Sequence, residues 1–150
     1  MTGPASDHEL SDFLPYLLFQ AAEMTSRNFQ QHYWSRYGML RTEWRVLFHL
    51  GNAGDQTAKQ ICNSASLHKT KVSRAVKALE KKRFLSREAV ENDRRSEVLS
   101  LTKNGKAAFA DLSSIASDYD RTFEQALGAE RHADLVDTLQ KLIASGKTNA

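Results

Sequence analysis

The 150-residue sequence predicts a mainly α fold with one small β-hairpin, in which a helix-turn-helix runs into a basic wing and long apolar helices flank that lobe. Three observations predict it. Residues 67–79 form an amphipathic helix whose cations sit in a narrow row. Residues 84–101 read as two strands around a polar turn that carries adjacent arginines. Residues 12–38 and 103–146 carry apolar stripes at helical spacing, longer than one small core needs.

Length and composition fit this outline. One domain, residues 1–150, is expected, with enough chain to bury a real core. Hydrophobic residues at 41% and charged residues at 26% are ordinary globular values. No apolar run approaches twenty residues, so no membrane span is expected, and Met1 to Asp7 has neither the basic nor the apolar region of a signal peptide. The single cysteine, Cys62, cannot form an internal disulfide, which fits a cytoplasmic location. The net charge is +3, but residues 57–106 hold 13 Lys/Arg against 5 Asp/Glu, so this third of the chain is +8 and the remainder −5. A basic middle between acidic ends is the footprint of a module that neutralises phosphates.

In chain order, residues 1–11 are small and polar and read as a frayed start. Pro15 suits the first turn of a helix, and Leu14, Leu17, Leu18, Ala21, Ala22, Phe29 and Tyr33 give that helix its stripe, with Gly38 as its stop. Thr42 reads as the N-cap of a second helix with Trp44, Val46, Leu47 and Leu50 facing the core, followed by a turn at Gly51–Asp55. Thr57 caps a short helix from Ala58 to about Asn63, with Ile61 and Cys62 facing inward. After the polar turn 63–66, the basic helix puts Val72, Ala75, Val76 and Leu79 on one side. Thr70, Arg74, Lys77 and Lys81 stand on the other, in a row suited to a DNA major groove. Such a row also occurs on plain solvated helices, but a short helix, a tight turn and a polarised second helix, followed by a basic-tipped hairpin, form a winged helix. Leu85, Leu99 and Leu101 anchor the hairpin. Thr102 caps a long helix to about Leu127, and a last helix runs from about Ala129 to Ser145 and ends at Gly146. Residues 40–102 thus form the DNA-binding lobe, and the stripes of 12–38 and 103–146 point to dimerisation.

These residues resemble the MarR family of bacterial transcriptional regulators. The resemblance is carried by Leu40-Arg41-Thr42-Glu43-Trp44-Arg45-Val46-Leu47, Thr57 with Ile61, Thr70-Lys71-Val72-Ser73-Arg74 and Leu79-Glu80-Lys81-Lys82. It continues through Asn92-Asp93-Arg94-Arg95-Ser96 and Leu99-Ser100-Leu101-Thr102-Lys103-Asn104-Gly105, spanning roughly residues 40–106 in order. The family usually has glycine where Arg83 stands, so either the helix exits without a left-handed residue or a strain of order 1 kcal/mol is tolerated.

The resemblance implies a homodimer in the order α1-α2-α3-α4-β-β-α5-α6, whose first, fifth and sixth helices form the dimer and whose winged helices bind a pseudo-palindromic operator in double-stranded DNA. Thr70, Lys71, Arg74 and Lys77 would enter the major groove, with Arg74 the best candidate for guanine and Lys71 and Lys77 for phosphate. Ser73 would either bond phosphate or cap locally. Arg94 or Arg95, one of them oriented by Asp93, would reach the minor groove. Relatives bind small aromatic or phenolic ligands, which implies an effector site from Phe29, His32, Tyr33, Arg36 and Tyr37 with Trp44, Arg45 and Phe48, although Trp44 and Phe48 read first as core.

Other functions find less support in the residues. Cys62 reads as a buried thiol, and the peroxide-sensing relatives carry their cysteine in the first helix. His8, His32, His49, His68 and His132 are scattered, so no metal is expected, and no cofactor motif or catalytic constellation is visible. The expectation is therefore a DNA-binding repressor relieved by a ligand, and not an enzyme. The alternatives are a non-specific architectural DNA-binding protein and a winged-helix module for protein or RNA.

Overall fold

The computed structural model describes residues 10–90 and 93–148, the side chains of 93–95 and 148 excepted. A 3-10 turn, Leu10–Asp12, replaces the end of the expected frayed start. It leads into α1 (Leu14–Tyr37), α2 (Arg41–Ala53), β1 (Gln56–Thr57), α3 (Ala58–Ala65), α4 (Lys69–Lys81), β2 (Leu85–Val90), β3 (Asp93–Leu101), α5 (Lys103–Leu127) and α6 (Ala129–Thr148). The fold is mainly α with a small antiparallel sheet, as the patterning predicts. The sheet has three strands in the order β1-β3-β2, not two. Gln56 and Thr57 pair with Leu99 and Val98, and two residues are too few for a period to show in sequence.

The chain divides into two compact units, residues 1–109 and 110–150, with the boundary inside α5. In the first unit, Phe29 and Tyr33 of α1, Met39, and Val46, Leu47 and Leu50 of α2 are buried. Ile61 and Ala65 of α3, four residues of α4, Leu85, Leu99 and Ala108 complete that core. The N-terminal part of the α1 stripe stays largely uncovered, with Leu14, Leu17, Ala21 and Ala22 exposed, and outside the stripe Phe19 and Met24 are exposed as well. In the second unit, Tyr119 and Phe123 meet edge to face at 4.9 Å, and His132 Nε2 lies 3.2 Å from Asp120 Oδ1. Leu135, Val136, Leu142 and Ile143 of α6 are exposed.

Several boundaries move for identifiable reasons. The cap of α2 is not Thr42 but Leu40, and Glu43 replaces a capping hydroxyl by accepting the Leu40 N–H at 3.0 Å. That helix continues past Gly51, where a turn was expected, to Gly54 at φ 81°. The thiol expected to face inward, Cys62, is only half-buried, and Ala65 takes the inward position one turn on. The helix there reaches Ala65, and Ser66 in the left-handed region closes it. At the C-terminal end α6 runs through Gly146 to Thr148, since one solvated glycine costs a helix only about 1 kcal/mol. Where sequence predicted caps at Thr57 and Thr102, both hold: Thr57 Oγ1 accepts the Gln60 N–H, and Thr102 Oγ1 accepts the Gly105 N–H.

Arg83 sits in the left-handed region at φ 66°, so strain is tolerated there. Replacing it with glycine removes the Cβ clash, offset in part by the greater freedom of the unfolded chain. Arg83→Gly is expected to stabilise the protein by about 0.5–1 kcal/mol, or roughly 1–4 °C in Tm at fixed concentration. Calorimetry checks it, and an unchanged or lower Tm would refute the strain argument.

Candidate nucleic-acid interface

The candidate interface is built on α4. Its inward side chains, Val72, Ala75, Val76 and Leu79, are all buried, which fixes the opposite side outward. Burying this stripe contributes several kcal/mol of hydrophobic stabilisation, which keeps the opposite face turned to solvent. Thr70, Lys71, Ser73, Arg74 and Lys77 are all exposed on it. Among the described residues none of Lys71, Arg74 and Lys77 has an ion-pair partner, so their charge faces solvent. The helix begins at His68, whose Nδ1 accepts the Thr70 N–H at 3.3 Å. His68 therefore caps the helix, a role that its type does not advertise, and Ser73, one turn further on, lies outside the cap.

Two other basic residues of this region are engaged. Lys82 Nζ donates to Gly38 O at 2.7 Å and to Glu43 Oε1 at 2.5 Å. Arg87 on β2 donates to Glu80 Oε2 at 3.1 Å and Glu97 Oε2 at 3.4 Å, linking the wing to the end of α4. Lys82 and Arg87 are thus matched by neighbouring carboxylates, whereas Lys71, Arg74 and Lys77 keep their charge open to solvent. Sequence reasoning missed both of these braces. A glutamate three residues after Leu40 was the available signal for Glu43, but a charged residue inside an apolar stripe reads as surface.

Asp93, Arg94 and Arg95 begin β3, and Asp93 pairs with Val90 beside an irregularity of register at Ala89/Val90. The side chains of all three, and so the expected minor-groove contact, lie outside the described residues.

Five of the residues singled out for an effector, Phe29, His32, Tyr33, Trp44 and Phe48, form a ring cluster packed on one another. Tyr33 stacks on Trp44 with centroids 6.0 Å apart, and Phe29 lies 5.4 Å from His32 and 5.6 Å from Trp44. Phe48 joins Trp44 at 5.4 Å and Phe109 at 6.1 Å. Trp44 is half-buried and Phe48 is 37% exposed, so neither is the full core residue that its place in the stripe suggested. Burial pushes the Tyr33 phenol up, and hydrogen bonding to Arg41 pulls it partly back. Arg45 is turned elsewhere, with its Nη2 donating to Ala65 O at 2.9 Å, and Tyr37 meets Phe84 edge to face at 5.8 Å. Arg36 is exposed near the end of α1. An open hollow of about 360 Å³ on the same helix is lined by Arg27, Gln30, Gln31, Trp34 and Leu40, none of them in the set.

Residues 37–96 match a family model described as MarR family. No curated protein matches the chain significantly. Among solved structures, a MarR/EmrR family transcriptional regulator from Acinetobacter sp. ADP1 is 23% identical, with a TM-score of 0.82 over 93% of this chain and 99% of its own. BpsR of Bordetella bronchiseptica, in a study of the regulation of its DNA binding by 6-hydroxynicotinic acid, is 19% identical, with a TM-score of 0.77 over 86% and 97%. A mutant MarR from E. coli complexed with operator DNA is 20% identical, with a TM-score of 0.76 over 91% and 99%. No helix among the described residues is long and apolar enough to cross a membrane.

Proposed function

We propose that the chain, whose residues 37–96 match the MarR family model, is a sequence-specific regulator of transcription that binds double-stranded DNA. In this reading it represses as a homodimer on a pseudo-palindromic operator and is released by a small aromatic or phenolic acid. One observation carries the DNA reading: the exposed row Thr70, Arg74 and Lys77, on a helix whose other face is locked into the lobe. The operator complex of the E. coli neighbour supports it by likeness of fold.

Arg74 reads a guanine, Lys71 and Lys77 hold phosphate, and Ser73 either joins them or bonds locally. Arg94 or Arg95, with Asp93, reaches the minor groove from the start of β3. The exposed apolar side chains of α1 and of α6 support a dimer, since faces of that size left in water are unfavourable. The BpsR neighbour supports an aromatic acid as effector, with Phe29, His32, Tyr33, Arg36, Trp44, Arg45 and Phe48 as the region that would receive it. Because those rings are packed against each other, a ligand has to part them, and the dimer can supply the remaining wall.

The test is fluorescence anisotropy on the tightest duplex enriched from a random pool, beside its scrambled version, at several salt concentrations. A preference of about a thousandfold with steep salt dependence is expected, and equal affinity for both duplexes refutes specificity. Arg74→Ala is expected to weaken the enriched duplex roughly 10–100-fold while changing the scrambled one far less, because losing a bidentate base contact costs about 1–3 kcal/mol. Equal losses on both would make Arg74 a phosphate contact. For the effector, a thermal-shift panel of aromatic carboxylates is expected to contain a compound that raises Tm by roughly 5–11 °C at 100 times its Kd, about 2.7 kcal/mol of linkage. A panel with no shift refutes that part.

A further inference from the structure

We propose that Lys82 and Glu43 are positioning residues for sequence recognition: together they set the angle at which α4 presents Thr70, Arg74 and Lys77. The proposal rests on the DNA-binding reading above. Lys82 stands immediately after α4, and its ammonium reaches back to the corner between α1 and α2. There it meets the Gly38 carbonyl at 2.7 Å and Glu43 Oε1 at 2.5 Å, while Glu43 Oε2 accepts the Leu40 N–H at 3.0 Å. One buried carboxylate, 3% exposed as a residue, thus ties the corner to itself and to the end of the recognition helix. The corner is a firm anchor, since Gly38 closes α1 in the left-handed region and Met39 is fully buried.

The apolar contacts alone leave this angle loosely set. Val72, Ala75, Val76 and Leu79 are aliphatic, and ridge-into-groove packing of such surfaces leaves a scatter of about 15–20° around its preferred crossing angles. A charge-assisted pair at one end of the helix adds a directional constraint toward the α1–α2 corner, beside the Arg87–Glu80 link to the wing. Leverage makes that constraint matter. The 13 residues of α4 extend about 20 Å, so a tilt of about 5° about the Lys82 end moves the Thr70 end by about 1.7 Å. A bidentate base contact does not survive such a displacement, whereas a flexible lysine on phosphate follows it. Loss of the pair therefore removes discrimination between sequences and leaves the electrostatic attraction in place.

The experiment uses the full chain as wild type, Glu43→Gln, Lys82→Met and Lys82→Arg, each shown to be folded by circular dichroism at the working temperature. Anisotropy titrations on the enriched and scrambled duplexes, at several salt concentrations, give the affinity ratio and the salt slope. Glu43→Gln and Lys82→Met are expected to lower the ratio at least tenfold, with scrambled-duplex affinity and salt slope unchanged. Lys82→Arg, which keeps the charge and the reach, is expected to retain most of the ratio. A protein that was merely less stable, yet folded, would keep the ratio. If Lys82→Met does not fold, Glu43→Gln decides, and an unchanged ratio there overturns the proposal. A slope reduced by about one unit in Lys82→Met, with Glu43→Gln like wild type, makes Lys82 a phosphate contact and also overturns it. A wild type that prefers no duplex removes the DNA reading and this proposal together, whereas a wild type with preference and insensitive variants removes this proposal alone.

Discussion

Gly105→Ala is expected to destabilise the protein by about 3 kcal/mol, lowering Tm by roughly 6–12 °C at fixed protein concentration. Gly105 lies in the first turn of α5, where that helix passes against the chain just before β2. A Cβ there would stand 1.9 Å from the Phe84 carbonyl oxygen and 2.9 Å from its carbon. Both are backbone atoms, so no side-chain rotation relieves the contact. Nor can the segments separate freely, because the Thr102 N–H donates to Phe84 O at 3.1 Å and Thr102 Oγ1 donates to Arg83 O at 2.6 Å. Reaching ordinary contact distance takes a movement of roughly 1.5 Å, which breaks one of those bonds. Alanine's better helix propensity returns about 1 kcal/mol, too little to reverse the sign. Thermal denaturation followed by circular dichroism decides it, and an unchanged Tm would mean that the approach of α5 to Phe84 is looser than described.

Lys82→Met is expected to cost about 2–3 kcal/mol of folding stability. Removing one partner of a buried ion pair leaves the other charge desolvated and unmatched, a loss of about 3–5 kcal/mol in well-buried cases. Here the glutamate side chain is 4% exposed and the lysine 33%, so water reaches the pair from the lysine end and the lower part of that range applies. Glu43 keeps its hydrogen bond from Leu40, which limits the loss further. The double variant Glu43→Gln with Lys82→Met removes the stranded charge and is expected to be more stable than Lys82→Met alone. Urea titrations of the four proteins in this cycle give the coupling. Strict additivity would show that the two groups do not interact in solution.

These two sites mark the limits of what the sequence makes legible. The fold class, the polarity of α4 and the hairpin are periodic features, so residues such as Val72, Ala75, Val76 and Leu79 announce their own burial. The Thr57 and Thr102 caps are equally legible, because their chemistry is local. Glu43 is not legible, since its burial depends on a lysine 39 residues away. Gly105 appears in the sequence only as a member of a motif, and the reason for it, the Phe84 carbonyl, becomes visible only when the two segments meet. For the candidate site, the exposed α4 row was readable from spacing alone. The aromatic residues were readable as a set but not as a packed cluster, because apolar periodicity does not distinguish rings that touch each other from rings that line a space.

The placement of Phe109 bears on where the winged-helix lobe could be cut from the chain. In sequence the lobe ends at Thr102, yet a Cβ on Gly51 would lie 2.3 Å from the Phe109 ring, and Phe48 packs on the same ring. A fragment cleaved after the last strand would keep α4 and the wing while exposing the outer side of α2 and stripping away the turn of α5 that closes over Phe84. The smallest autonomous piece therefore extends at least to Phe109, and the two halves of α5 belong to different bodies without a loop between them to cut.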